Sequence, residues 1–144
     1  MMTQDNAGLV VRFYEAVHNA HDLTVLDTAV DSAVVSRWSG LPEMHSSTEL
    51  RAALAADLEG FPDHSIVLDQ VVADGNDVAS RWTYRGTHTG EYYGIPATGR
   101  SIVSTVVSFD RIIDGKLAEN WVVFDTYDVM RQLGIVPDTE EASA

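Results

Sequence analysis

The C-terminal half of the chain carries four long β-rich runs, and their spacing constrains the fold more than any other feature. They read "HSIVLDQVVA" (64–73), "DVASRWTYRG" (77–86), "RSIVSTVVSFDRI" (100–112) and "KLAENWVVFD" (116–125). The Asp-Gly pairs at 74–75 and 114–115 are tight-turn signals, because glycine accepts the positive φ of a two-residue hairpin. Runs joined by such short turns can pair only antiparallel. The first and second pairs are joined by a longer glycine-rich piece, so a meander of long strands is expected.

The N-terminal half has a different period. Leu9, Phe13 and Val17 recur every four residues behind Thr3, which can cap the helix that this period predicts. "HDLTVLDTAV" predicts a second short helix and "SAVVSRW" a first strand ending at Trp38. "SSTE" from Ser46 to Glu49 has the form of a capping box. The helix it opens carries Leu50, Leu54 and Leu58 and stops near Gly60 and Pro62. A last helix runs from about Thr126 to Leu133 and ends at Gly134. The tail, residues 138–144, is polar and expected to fray. Helices followed by an antiparallel meander make an α+β chain of one domain, 1–144, in which a curved sheet wraps the helices around a conical pocket.

Charge removes several classes of function. The formal net charge of -13 leaves nothing to neutralise a run of phosphates, so neither nucleic acid nor an anionic membrane surface is an expected partner. No stretch is apolar for long enough to span a bilayer, and the first residues lack a signal-peptide pattern, so a cytoplasmic protein is expected. The absence of cysteine excludes disulfides, a thiol nucleophile and thiolate metal sites. The histidines His18, His21, His45, His64 and His88 form neither H-x-H nor H-E-x-x-H, so no metal site is expected. No G-x-S-x-G supports a serine hydrolase.

Chemistry is expected around the segment "GTHTGEYYGIPATGR" (86–100), whose four glycines suggest a lid over a pocket mouth or a twisted connector. His88, Tyr92 and Tyr93 lie in it, and Trp38, Trp82, Tyr84 and Trp121 are further aromatics able to line an apolar pocket. Arg81 alternates with Arg85 on one strand face, from which it would orient a carboxyl or enolate oxygen if that face looks into the cavity. Asp125 ends the last strand. Two readings of it stand side by side: a carboxylate in an apolar pocket acting as general acid or base, and a cap on the helix that follows.

Three segments in order carry a family resemblance: "RWTYRGTHTGEYYGIPATGR" (81–100), "DRIIDGKLAENWVVFD" (110–125) and "QLG" (132–134). With "VVADGNDVASRW" and "FPDHS" they make most of the chain similar to the SnoaL-like polyketide cyclases of the NTF2-like, cystatin-like α+β superfamily. The resemblance implies a cone-shaped barrel dimerised through its sheet, with an apolar pocket and neither metal nor organic cofactor. It also implies that Asp125 is the general acid or base of an intramolecular aldol closure. Family members place a histidine near the end of the preceding strand, where this chain has Asp110 and Arg111.

The function so implied is a cofactor-independent polyketide cyclase of secondary metabolism, a homodimer acting on a small-molecule polyketide. Asp125 and His88 would be catalytic, and Trp38, Arg81, Tyr92, Tyr93, Asp110 and Trp121 would bind substrate. An epoxide hydrolase, hydratase or ketosteroid-isomerase-like enzyme is an alternative on the same scaffold, as is a non-catalytic binding protein.

Overall fold

The computed structural model describes residues 5–137. Helix α1 (Asn6–His18) leads into a 3₁₀ turn (Leu23–Val25), helix α2 (Leu26–Ala29), strand β1 (Val30–Trp38) and helix α3 (Ser47–Gly60). Strands β2 (Ser65–Asp74), β3 (Asp77–Thr87), β4 (Ser101–Ile113) and β5 (Lys116–Phe124) follow, and helix α4 (Thr126–Gln132) closes the described chain. The sheet order is β1-β5-β4-β3-β2. The β2–β5 meander is antiparallel as expected, and β1 joins its far edge parallel to β5. None of the described helices is long and apolar enough to cross a membrane.

The caps explain where the helices begin. Asp5 caps α1 by accepting the Gly8 N–H at 2.9 Å; the expected cap Thr3 and the tail 138–144 lie outside the described residues. Ser46 caps α3 by accepting the Glu49 N–H at 3.1 Å. The Glu49 carboxylate returns to the His45 N–H, one residue earlier than the usual capping box.

Alternation along β4 sets the inside of the cone. Ile102, Ser104, Val106, Ser108, Asp110 and Ile112 are buried, while Val103, Val107, Phe109 and Ile113 are exposed on the outer face. On β5 the alternation breaks once. Leu117 pairs with Ile112 and Glu119 with Arg111, which leaves Ala118 as an extra residue, a β-bulge. The bulge puts Leu117 on the inner face with Asn120 and Val122, and sends Glu119, Trp121 and Val123 outward. The last strand's polar-looking face is therefore the outside of the sheet.

The glycine-rich connection between β3 and β4 is pinned to the end of α3. Thr89 and Gly90 both donate their N–H to the Gly60 carbonyl at 3.2 Å. A Cβ on Gly90 would lie 1.9 Å from the Glu59 carbonyl oxygen, and one on Gly60 would lie 2.8 Å from the Tyr92 side chain. Two glycines thus let a loop and a helix terminus touch backbone to backbone. Gly90→Ala should cost roughly 1–3 kcal/mol, since the obstructing atom is main chain and cannot rotate away. Urea unfolding of the variant against wild type measures it, and unchanged stability would mean that the loop is not held there.

Candidate active site

Between the inner face of the sheet and helices α1, α3 and α4 lies a cavity of about 190 Å³. Phe13, Leu54, Trp82, Val106, Val122 and Phe124 are among its apolar walls, and no lysine or arginine lines it. Tyr93, half exposed, marks the mouth; Ser108 and Asp110, fully buried, lie beyond the floor.

The floor is backed by a hydrogen-bonded row across the strands. Tyr14, from the first half of the chain, donates its hydroxyl to Asp110 Oδ1 at 2.8 Å. Ser108 donates to Asp110 Oδ2 at 3.2 Å and shares a 2.6 Å hydrogen bond with Ser80. The Asn120 side chain bonds Asp110 too and accepts the Ser36 hydroxyl on its Oδ1. Tyr14 and Asn120 line the cavity, so Asp110 meets it through them. Burial raises the Asp110 pKa to about 7 despite these donors, and it holds the Tyr14 phenol well above its ordinary value.

A second cluster lies toward the mouth. Asp57, on α3, lines the cavity and accepts the Tyr84 hydroxyl on Oδ1 at 3.2 Å. Burial raises its pKa to about 7, with the Tyr84 bond and His21 pulling the other way. His64 Nε2 stands 3.7 Å from Asp57 Oδ2 and 3.0 Å from His18 Nδ1. Its other nitrogen, Nδ1, is 2.8 Å from the Phe61 carbonyl, which can only accept. His64 therefore carries its proton on Nδ1, Nε2 is an acceptor, and His18 supplies the N–H between the rings. Burial and the neighbouring imidazoles lower the His18 pKa to about 3, and burial lowers that of His64. Both rings are neutral, so the approach of His64 to Asp57 is not an ion pair. Among the described residues, His18, Asp57 and His64 are also the group whose donor atoms, within 4.8 Å of one another, could hold a metal ion.

The structure sorts the residues named from the sequence. Trp38, Tyr92 and Tyr93 line the cavity. Asp110 is a correction as a substrate-binding residue: it lies beyond the floor, outside the cavity lining, and meets the cavity only through Tyr14 and Asn120. Asp125 is a correction: it is exposed, caps α4 by accepting the Asp128 N–H at 2.9 Å, and does not line the cavity. The capping reading holds because Trp121 and Val123, which share its face, look outward from the sheet. His88 is another correction. It is buried outside the cavity lining, stacked on Phe61, and its Nδ1 accepts the Thr98 N–H at 3.2 Å, so it pins the loop base. Arg81 and Trp121 are corrected as well. Both are on the outer face, Arg81 4.0 Å from Asp69 and the Trp121 ring under the Arg37 guanidinium at 4.3 Å. Tyr14, Asp57, His18, His64 and Asn120 were not singled out for this chemistry. The one local signal was the spacing of Tyr14 and His18, four residues apart on a helix whose other inward positions after Asn6 are apolar.

A carboxyl that is neutral in the fold and ionised in the unfolded chain has a definite pH signature. Asp110 titrates about 3 units higher when folded than an ordinary aspartate near 3.9. The unfolded chain thus releases this proton first, and the group's contribution to stability declines as pH rises from about 4 to 7. Asp110→Asn removes that dependence. Its unfolding free energy relative to wild type should shift in the variant's favour across this window, measured by urea titration at a series of pH values. A constant difference would mean that Asp110 is ionised in the fold.

The SnoaL-like polyketide cyclase family model matches residues 8–133. No curated protein matches the chain. Among solved structures, a candidate SnoaL-like polyketide cyclase from Jannaschia sp. CCS1 superposes with a TM-score of 0.84 at 22% identity, over 92% of this chain and 93% of that one. AclR, a candidate hydroxylase from Streptomyces galilaeus, gives 0.83 at 27% identity over 96% and 87%. IdmH, a candidate polyketide cyclase from Streptomyces antibioticus, gives 0.78 at 27% over 91% and 99%. With the cone, the inner polar row and a family match running from α1 to the end of α4, this chain belongs to the SnoaL-like polyketide cyclases.

Proposed function

We propose that the protein is a cofactor-independent, cytoplasmic polyketide cyclase of secondary-metabolite (antibiotic) biosynthesis that closes a ring within one polyketide chain held in the cone. The observation that carries this reading is an apolar cavity whose walls include unsatisfied donors. The indole N–H groups of Trp38 and Trp82 are buried without an acceptor, and both rings line the cavity. A buried donor left unpaired costs about 1–3 kcal/mol, and a small turn of either ring that brings its N–H to an oxygen-bearing ligand would relieve it. A carbon chain studded with carbonyl oxygens has that chemistry, and the lack of cationic lining fits a neutral one. The 27% identity to IdmH, itself a candidate cyclase, supports the same direction.

Tyr14 and Asn120 are the groups that would polarise a substrate carbonyl at the floor. With Asp110 protonated, its O–H can donate to the Tyr14 oxygen while the Tyr14 hydroxyl donates to the substrate, so each bond strengthens the next. Holding the two reacting ends of one molecule together adds an effect of up to ~7–11 kcal/mol in well-oriented systems. Tyr14→Phe keeps the ring packing and removes the donor, so turnover should fall roughly 100- to 1,000-fold. Mass spectrometry of neutral linear polyketides incubated with each protein measures it. Tight binding with no product in wild type would make the protein a binding module instead.

The outer face of the sheet supports a homodimer as the working form. Val103, Val107, Phe109, Trp121 and Val123 are each between 45% and 54% exposed on adjacent strands β4 and β5. Contiguous apolar surface of this kind commonly marks an interface. Light scattering should give twice the 15.7 kDa chain mass, and Val107→Lys should halve it. A monomer at micromolar concentration would end this part of the reading.

A further inference from the structure

The mouth-side cluster has no part in carbonyl polarisation at the floor, yet it is the only place where a carboxylate lines the cavity among the described residues. Asp57 Oδ1 is occupied by the Tyr84 hydroxyl. Its Oδ2 has no hydrogen-bond donor, because the nearest nitrogen, His64 Nε2 at 3.7 Å, carries no proton. That tautomer is set by the Phe61 carbonyl, and His18 complements it by donating from the other side of the ring. His64 is also held in place by stacking on Tyr84, ring centroids 4.9 Å apart and planes 14° apart. The paired histidines therefore give Asp57 neither a cation nor an N–H to neutralise it. What they build is a carboxylate with one oxygen anchored and the other free to take a proton.

We propose that Asp57 is the catalytic base of this site, taking a proton from an activated carbon of a substrate whose carbonyl oxygen rests against Tyr14 and Asn120. This rests on the ring-closing function proposed above and names its substrate class: a neutral chain with an acidic methylene, flanked by carbonyls, directed to the mouth and an acceptor carbonyl directed to the floor. In the step, Asp57 Oδ2 gains the proton as the C–H bond breaks. That electron pair forms the new C–C bond to the acceptor carbonyl carbon. The carbonyl π pair moves onto oxygen, which takes the Tyr14 proton, and Asp110 replaces it. Asp57 ends protonated and Asp110 ionised, and both are reset by solvent after product leaves. No oxidant, metal or cofactor enters the balance.

Asp57 must be ionised and Asp110 protonated, so the rate should rise as pH approaches about 7 from below, as Asp57 ionises, and fall above it, as Asp110 does. The titratable groups facing it are Tyr84 on β3, His18 on α1, His21 after it, His64 before β2, and Tyr92 and Tyr93 on the loop. The Tyr84 bond favours the anion, so Tyr84→Phe should move this rise to higher pH.

The probe is 2-tetralone, a neutral bicyclic ketone whose α-protons exchange slowly in buffer. Deuterium uptake at its α-carbon, followed by proton NMR with the intact protein, reads the base directly without the true substrate. Wild type should accelerate uptake over buffer, Asp57→Asn should lose roughly 100-fold or more of that acceleration, and Tyr84→Phe should displace the pH profile upward. Equal exchange in wild type and Asp57→Asn overturns the assignment of the base while leaving ring closure standing. Exchange at the buffer rate in wild type also overturns it. Loss in Asp57→Asn without any pH displacement in Tyr84→Phe overturns it too, because a merely structural Asp57 would behave so. Failure of ring closure is read separately, in the product assay with linear polyketides.

Discussion

The hydrogen bond from Tyr14 to Asp110 ties helix α1 to the middle of the sheet, and the geometry of the cavity depends on it. A fully buried carboxyl is tolerable only when its oxygens are satisfied, and here Tyr14, Ser108 and Asn120 all turn toward it. Those partners come from α1, β4 and β5, with Ser36 on β1 bracing Asn120 from behind. Removing any one of them exposes the desolvation cost of the rest, so the row specifies the register of β1, β5, β4 and β3 together. Because it is polar, it also ends the apolar core at a defined depth. The cavity begins where the row stops.

Much of the frame was legible because it follows local period. The strict alternation of "SIVSTVVSFDRII" puts six residues inside, and Asp110, named as a candidate from the family's histidine position, is one of them. Both Asp-Gly turns and the end of α4 at Gly134 fall where the backbone needs positive φ. The failure at Asp125 came from not knowing which face of β5 looks inward. Glu119, Trp121 and Val123 do share one face, but Trp121 lies under Arg37 on the outside of the cone. An apolar residue on an open sheet reads the same whether it faces a helix or a partner surface.

The mouth-side cluster was illegible for a different reason. His18 and His64 are 46 residues apart, and Asp57 belongs to a helix whose inward stripe is otherwise leucine and alanine. No spacing rule joins them. They meet because α1 crosses β2 and because α3 stops at Gly60, where the loop packs backbone to backbone and brings Phe61 and His64 under Tyr84. His88, which looked like chemistry from its loop, is structural for the same reason: its ring covers Phe61 and holds Thr98. A glycine-rich segment looks mobile in sequence, yet here glycine permits close contact.

Two carboxyls raised to about 7 by burial pose a question of efficiency, since the proposed chemistry needs one ionised and the other protonated. With equal pKa values at pH 7, about a quarter of the molecules hold that arrangement, a penalty of about 0.8 kcal/mol. General acid–base assistance typically contributes 10²–10⁴-fold, so the penalty is minor. Ordinary aspartates would do worse, because a group titrating near 3.9 is a far weaker base and almost never a proton source at neutral pH. The same burial that taxes stability therefore brings both groups into the range where either form is accessible. The separate anchoring of each, Tyr14 on Asp110 and Tyr84 on Asp57, lets a bound ligand tip them in opposite directions. A carbonyl oxygen at the floor favours the protonated donor chain. A displaced water at the mouth sharpens the basicity of the free Asp57 oxygen, because nothing else there can hydrogen-bond it.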